Sequence, residues 1–330
     1  MMDGIFSKIK KGIAEERFLA ILVLIGVTLV MGTSLYVSRY FLLRREAIEI
    51  EQFKHREVAR LEIISESVNK IADTLVSDMF YTSSTLELKN FANDPSEENK
   101  AALTKTLLTF LKTKNSYDKV RFIDATGKEV IRINSASGLT AVTAEEDLQD
   151  KSDRYYFSES LKLEMGELYA SPLDLNVEDN RIEEPYKPII RLATRVYNDD
   201  NELQGILVLS YLAEGFLEKL DGTLTNPGEQ IFMINENGYW LKGPSPEHEW
   251  GFMVNTTSKP TLADWNSQLW EDIQDTTFNQ VHYNDGLYTS LAVTLSDDAE
   301  TNIIENKEFN LSLRQPRAGE KRTVISFVPN

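Results

Sequence analysis

Three patterns of hydrophobic and polar positions follow one another along the chain. From Phe18 to Ser38 the run FLAILVLIGVTLVMGTSLYVS carries no charge, and about 20 such residues match the roughly 30 Å hydrocarbon core of a bilayer when helical. This predicts a transmembrane helix over 18–38; the run is too long for a cleaved signal peptide and lacks a small-x-small ending. Between residues 44 and 90 there is no proline or glycine, and Leu61, Ile64, Val68, Ile71, Leu75 and Met79 recur at spacings of three and four. That spacing predicts one long amphipathic helix. Its upper stripe is expected to pack on a sheet of its own domain, and its lower part, near the membrane, is left open to a homodimer seam. Asn93-Asp94-Pro95-Ser96 ends this helix and can cap the next, over about 96–112.

The period then changes from helical to alternating. Lys119 to Ile123 and Lys128 to Ile133 flank Asp124-Ala125-Thr126-Gly127, a hairpin signature with glycine available for positive φ. Ile189 to Tyr197 and Leu203 to Tyr211 flank Asn198-Asp199-Asp200-Asn201 as a second hairpin, and Leu212 to Leu220 reads as a short linking helix. Gln230 to Ile234, Asn235-Glu236-Asn237-Gly238 and Tyr239 to Leu241 repeat the strand, D/N-x-x-G, strand motif. A helix near Leu262 to Ile273, a hairpin around Asn284-Asp285-Gly286 and closing strands near Phe309 to Leu313 and Arg322 to Val328 complete a second, similar α/β unit.

Composition narrows the function classes. The net charge of -17 opposes nucleic-acid binding, and the absence of cysteine removes disulfides, thiolate chemistry and Cys-ligated zinc. Residues 1–38 carry four positive and three negative charges, so residues 39–330 carry -18, that is, -17 minus +1. Four basic residues precede the apolar run and Arg39, Arg44 and Arg45 follow it closely, a nearly balanced comparison. A large acidic domain after an uncleaved anchor is therefore read as exported. His55, His248 and His282 are scattered, and neither H-E-x-x-H, G-x-S-x-G nor G-x-x-x-x-G-K-[ST] occurs. No enzymatic activity, metal or cofactor is expected.

Several segments carry a family resemblance: Tyr117-Asp118-Lys119-Val120-Arg121-Phe122-Ile123-Asp124, Leu148 to Phe157, Ser171-Pro172-Leu173-Asp174-Leu175-Asn176, Pro185 to Thr194, Gly205 to Tyr211, Gly238-Tyr239-Trp240-Leu241-Lys242-Gly243-Pro244 and Glu249-Trp250-Gly251-Phe252. In this order they resemble double Cache sensor domains, the paired PAS-like extracytoplasmic receptors of bacterial histidine kinases, diguanylate cyclases and chemoreceptors. The resemblance covers about residues 44–330. It implies an α+β protein with two tandem PAS-like (Cache) modules, each with an antiparallel sheet, and these divisions: a cytoplasmic N-terminus (1–17), a transmembrane helix (18–38), a stalk helix (39–92), a membrane-distal module holding the ligand pocket (93–221) and a membrane-proximal module (222–330). It also implies a pocket with the sheet as floor and the loops of 147–187 as lid.

The chemistry of that stretch agrees. Arg154 supplies a planar cation able to hold a carboxylate or phosphate through two hydrogen bonds; the alternative is a surface ion pair with Asp150 or Asp153. Tyr155, Tyr156 and Phe157 supply aromatic walls, with core packing the alternative for Tyr156 and Phe157. Tyr169, Ser171 and Asp174 add hydroxyl and carboxylate groups, and Arg191 faces either the pocket or the opposite side of its strand. Asp174 and Asn176 stand in an acidic loop with Glu178, Asp179, Glu183 and Glu184 that lacks the spacing and glycine of a calcium loop. In amino-acid-binding members of the superfamily the motif runs tyrosine, four residues, arginine, one residue, tryptophan, tyrosine. Arg154 fits its arginine, while Gln149, Tyr156 and Phe157 depart from its aromatics, so no amino acid is named as ligand. The leading expectation is a small-molecule sensor domain, anchored by a single pass in the bacterial inner membrane with 39–330 in the periplasm. It is expected to bind a small organic, carboxylate-bearing ligand; this chain lacks a cytoplasmic output half, which leaves open a truncated reading frame, a fragment and a sensory subunit that signals through a partner protein. The alternative is a membrane-tethered interaction or scaffold protein with an empty pocket.

Overall fold

The computed structural model describes residues 2–136, 138–178, 180–254, 260–294, 303–306, 311–314 and 321–329. The chain divides into two units, 1–56 and 57–330. Helix α1 (Met2–Ser83) begins in the first, where the apolar residues from Phe18 to Leu43 are solvent-exposed and the helix is long and apolar enough to cross a membrane.

In the second unit, α1 is followed by α2 (Leu86–Asn93), α3 (Glu97–Thr113), β1 (Tyr117–Asp124), β2 (Glu129–Ala136), β3 (Leu139–Val142), α4 (Tyr155–Ser160), β4 (Glu167–Ala170), β5 (Asp174–Leu175), β6 (Val177–Glu178), β7 (Arg181–Ile182), β8 (Pro188–Tyr197), β9 (Leu203–Leu212) and α5 (Glu214–Asp221). Then come β10 (Gln230–Ile234), β11 (Trp240–Lys242), α6 (Leu262–Trp265), α7 (Ser267–Ile273), β12 (Phe278–His282), β13 (Gly286–Val293), β14 (Ile303–Asn306), β15 (Leu311–Arg314) and β16 (Arg322–Pro329). Two large sheets and the two-stranded ribbon β6–β7 result among the described residues. The first contains the antiparallel run β3-β2-β1-β9-β8-β4, and the second is β11-β10-β16-β13-β12, antiparallel throughout. Five strands of each run in the same order, second, first, fifth, fourth, third, which is the tandem PAS-like arrangement.

The helical stripe of α1 is buried as its spacing predicts: Leu61, Ile64, Val68, Leu75 and Met79 join α2, α3 and one face of each sheet in the main core. Each such side chain contributes roughly 1.5–3 kcal/mol of apolar burial. Two polar fastenings also hold α1. Arg60 donates to Glu57 at 2.5 Å, to Glu229 at 2.6 Å and to Ser326 of β16 at 3.0 Å, all buried. Higher on the helix, Asp78 accepts from Lys114 at 2.7 Å and from the Tyr117 hydroxyl of β1 at 2.8 Å.

Three elements differ from expectation. The helix over 44–90 breaks at Ser84–Thr85 without proline or glycine, because Thr82, Ser83, Ser84 and Thr85 all donate their hydroxyls to carbonyls of the preceding turn, offering the backbone an alternative to helix. The helix over 262–273 is two, since Asn266 turns extended and accepts from Leu269 N as the cap of α7. The strand expected over 309–313 appears as β15, which with β14 lies in the first sheet, pairing in parallel with β4, and not in the second. There it covers backbone groups of β4 that would otherwise form an open edge. Phe309 and Asn310 lie outside the described residues.

Candidate functional site

The face of the first sheet turned away from α1 carries the chemistry. Alternation along β1 sends Val120 and Phe122 into the main core and Lys119, Arg121 and Ile123 to the other side. On β8, Arg191 and Ala193 lie beside Ser210 and Val208 of β9 on that same side. Helix α4 covers it, with Tyr156 and Phe157 packed against Ile123, Tyr169, Ala193, Ile206 and Val208.

Local backbone chemistry explains how the segment before α4 is held. Gly127 has φ +98°, and its carbonyl accepts from Lys151 N at 2.7 Å. A Cβ at Gly127 would stand 2.5 Å from Cβ of Ser152, so only glycine allows the loop to lie this close. Glu129 N donates to Gln149 O at 3.0 Å, and Gln149 N returns a bond to Glu129 Oε2 at 3.0 Å. The loop thus docked ends at Arg154, immediately before α4.

Arg191, only 2 % exposed, is the centre of the first cluster. It donates to Asp174 Oδ1 at 2.5 Å, to the Tyr155 hydroxyl at 3.3 Å and to Asn176 Oδ1 at 3.2 Å, and its guanidinium lies 5.4 Å from the Tyr156 ring centroid. Burial opposes its charge, but Asp174 more than offsets that and raises its pKa. Tyr155, partly exposed, turns its hydroxyl to Asp174; burial and then the Asp174 charge push that hydroxyl's pKa well up. Ser171 is bonded to the Arg191 backbone in both directions, its N to Arg191 O at 2.8 Å and Arg191 N to its Oγ at 2.9 Å, so it positions the strand and does not line open space.

Arg121 centres the second cluster, donating to Glu129 at 2.9 Å, Ser210 at 3.2 Å and Glu178 at 2.8 Å. Glu178 also accepts from Lys119 at 2.6 Å. Burial would raise the Glu178 carboxyl, but Arg121, Lys119 and Lys151 hold it down at about 2. Lys151 is pushed down by burial, which Glu178 only partly opposes.

Tyr156 joins the two clusters. Burial raises its hydroxyl, and Arg121, Arg191 and Arg154 oppose that rise; the hydroxyl makes no hydrogen bond among the described residues. Arg154 is half-buried and forms no side-chain hydrogen bond or ion pair among the described residues, with Asp150 and Asp153 included. It lines a cavity of about 310 Å³ with Gln149, Asp150, Lys151, Ser152, Asp153, Val177 and Asn180. That volume is at the lower end for a small-ligand site. Larger grooves of about 600 and 950 Å³ run along α1 but hold no buried arginine.

Of the residues expected to form the site, Tyr156, Asp174 and Arg191 meet at one sheet face, while Arg154 lines a cavity that includes none of them. Phe157 and Tyr169 pack in the apolar cluster beneath α4. Lys119, Arg121, Glu129, Lys151 and Glu178 were not anticipated. For Lys119 and Arg121 the signal was the alternation of charges with Val120 and Phe122 in a strand that occupies the middle of its sheet.

Residues 51–305 match the family model described as the bacterial histidine kinase sensor domain. Among solved structures, a domain of a sensory box/GGDEF family protein from Vibrio parahaemolyticus is similar at 17 % identity and TM-score 0.68, covering 82 % of this chain and 94 % of that one. The extracellular domain of the histidine kinase vpHK1S-Z8 is similar at 18 % identity and TM-score 0.67, covering 82 % and 89 %. Methyl-accepting chemotaxis protein X is similar at 10 % identity and TM-score 0.57, covering 86 % and 99 %. These likenesses bear on the fold. No curated protein sequence matches the chain significantly. With more than half of its length matched by one family model and its two sheets in tandem PAS-like order, the chain belongs to the bacterial histidine kinase sensor domain family, in the double Cache form.

Proposed function

We propose that the chain is a membrane-anchored receptor whose small anionic ligand binds on the first sheet, between the 149–154 loop, α4 and the β6–β7 ribbon. The observation that carries this reading is Arg154: a cation without a protein partner among the described residues, lining with Lys151 a cavity of about 310 Å³. Such an arrangement suits a planar anion, which would accept two hydrogen bonds from Arg154. In this reading the module built on the first sheet, residues 93–221 with β14 and β15 added from further along the chain, is membrane-distal, and the module built on the second sheet, within 222–330, is membrane-proximal. Residues 18–38 cross the cytoplasmic membrane once, residues 39–330 lie outside it, and α1 relays the bound state by a population shift.

The test is thermal unfolding of the full chain in detergent micelles against panels of carboxylates, amino acids, amines, nucleobases and sugars. A ligand at 100 times its Kd adds about 2.7 kcal/mol. A shift of several degrees that Arg154→Ala abolishes supports the receptor. A flat panel refutes the small-ligand reading in favour of a tethered scaffold.

A further inference from the structure

Next to the arginines lies a concentration of charge that the reading above does not use. The Glu178 carboxylate sits 2.6 Å from Lys119 Nζ, 2.8 Å from Arg121 Nη2 and 3.5 Å from Lys151 Nζ, and all three cations are buried. Lys119 and Arg121 stand on a central strand, and Lys151 is anchored through its backbone to Gly127. The seat is therefore fixed to the sheet. Its occupant is tied at the base of its ribbon, where Asn176 N donates to Lys187 O at 2.9 Å and Asn176 Oδ1 accepts from Arg191 at 3.2 Å; beyond that β6 pairs with β7 over two residues on each side and joins no other strand among the described residues.

The charges near the seat show what Glu178 does there. Asp118 is committed to Lys119 at 3.2 Å and Lys187 at 3.3 Å, and Lys187 is matched by Glu183 at 2.5 Å. Glu129 divides its oxygens between Arg121 and Arg132, both at 2.9 Å. Glu183 also lies 3.7 Å from Lys119, so Lys119, Arg121, Arg132, Lys151 and Lys187 face Asp118, Glu129 and Glu183, with Glu178 as the fourth carboxylate. Among the described residues Lys151 has no other carboxylate partner. Without an anion in the seat, buried positive charge would stand uncompensated, which protein interiors do not tolerate.

We infer that Lys119, Arg121 and Lys151 form a carboxylate subsite of the sensor pocket, and that Glu178 is its built-in occupant, which a carboxylate-bearing small molecule displaces. This rests on the receptor reading above. A tethered carboxylate competes at the effective concentration set by its short ribbon, so Glu178 sets the threshold for response. Binding exchanges one carboxylate for another on the same cations. The buried charge is unchanged, and what differs between the two states is whether the β6–β7 ribbon is tied to the sheet.

The test uses Glu178→Ala in the full chain in detergent micelles, with sodium acetate as the probe and thermal unfolding as the readout. The variant should melt below wild type, and acetate should raise its Tm at a concentration at least tenfold lower than wild type needs. Sodium chloride at equal ionic strength and the neutral isostere acetamide should not reproduce this, and Lys151→Met in the same background should remove it. If Glu178→Ala does not fold, Glu178→Gln, which keeps the side chain's size, carries the same comparison. Equal acetate response in variant and wild type, or a chloride effect as large as that of acetate, overturns the inference. If a panel ligand binds wild type and Glu178→Gln equally while acetate is inert, the subsite fails and the receptor stands. If acetate rescues Glu178→Ala while no panel compound shifts any form, the carboxylate seat is supported and the receptor reading falls.

Discussion

Asp174→Ala is the sharpest perturbation of the site. It removes the only carboxylate bonded to Arg191 among the described residues, leaving a guanidinium that is 2 % exposed with Asn176, the Tyr155 hydroxyl and the Tyr156 ring as its remaining partners. Removing one member of a buried pair costs about 3–5 kcal/mol, because the other charge stays behind in a medium that solvates it poorly. For a unit of this size about 1 kcal/mol corresponds to 2–4 °C, so the expected fall in Tm is about 6–20 °C. Arg191→Met should cost a similar amount by stranding Asp174. The double variant Asp174→Leu/Arg191→Met should be less damaging than either single change, because no charge is left unmatched. The assay is thermal unfolding of the full chain in detergent by circular dichroism. A loss below about 1 kcal/mol for Asp174→Ala, or additive losses in the double variant, would refute the argument.

Three further outcomes follow from other parts of the molecule. Glu178 is held at about 2 against an ordinary 4.5, so it stabilises the fold above pH 4.5 and loses that contribution as pH falls toward 2. Its 21 % side-chain exposure reduces the effect to about 2 kcal/mol, and Glu178→Gln should flatten the acid limb of a Tm–pH curve. Gly127→Ala places a Cβ against Ser152 at positive φ, with an expected cost of about 1–3 kcal/mol in urea unfolding and weaker binding of any ligand that needs Arg154. Arg60→Ala leaves Glu57 and Glu229 buried as like charges, costing about 3–5 kcal/mol in the same assay, whereas Arg60→Lys should cost less by keeping the charge and losing only the fork.

The strands that the sequence announced were those with a local signature. Asp124 to Gly127 and Asn235 to Gly238 bracket their hairpins with turn residues, and the flanking runs alternate, so pairing partner and register followed from neighbours in the chain. What was not legible depended on distant partners or on weak local competition. The joining of β15 to β4 is set by an edge more than a hundred residues upstream. The break at Ser84–Thr85 comes from four hydroxyls, each tolerable in a helix alone. In the site, Arg154 stood out because it lies among aromatics in a loop. Lys119 and Arg121 read as the outward face of a strand, and only the docking of 149–154 and the β6–β7 ribbon over that face buries them.

The two polar fastenings on α1 make that helix a gauge of fixed length. Arg60 is bolted to the second sheet through Ser326, and Asp78 to the first through Tyr117. They are 18 residues apart, roughly 27 Å at helical rise. Any change of spacing between the two sheets must therefore bend the rod or unbolt one end, and unbolting Arg60 strands buried charge. Relative travel of the sheets along α1 therefore requires breaking one of the two fastenings.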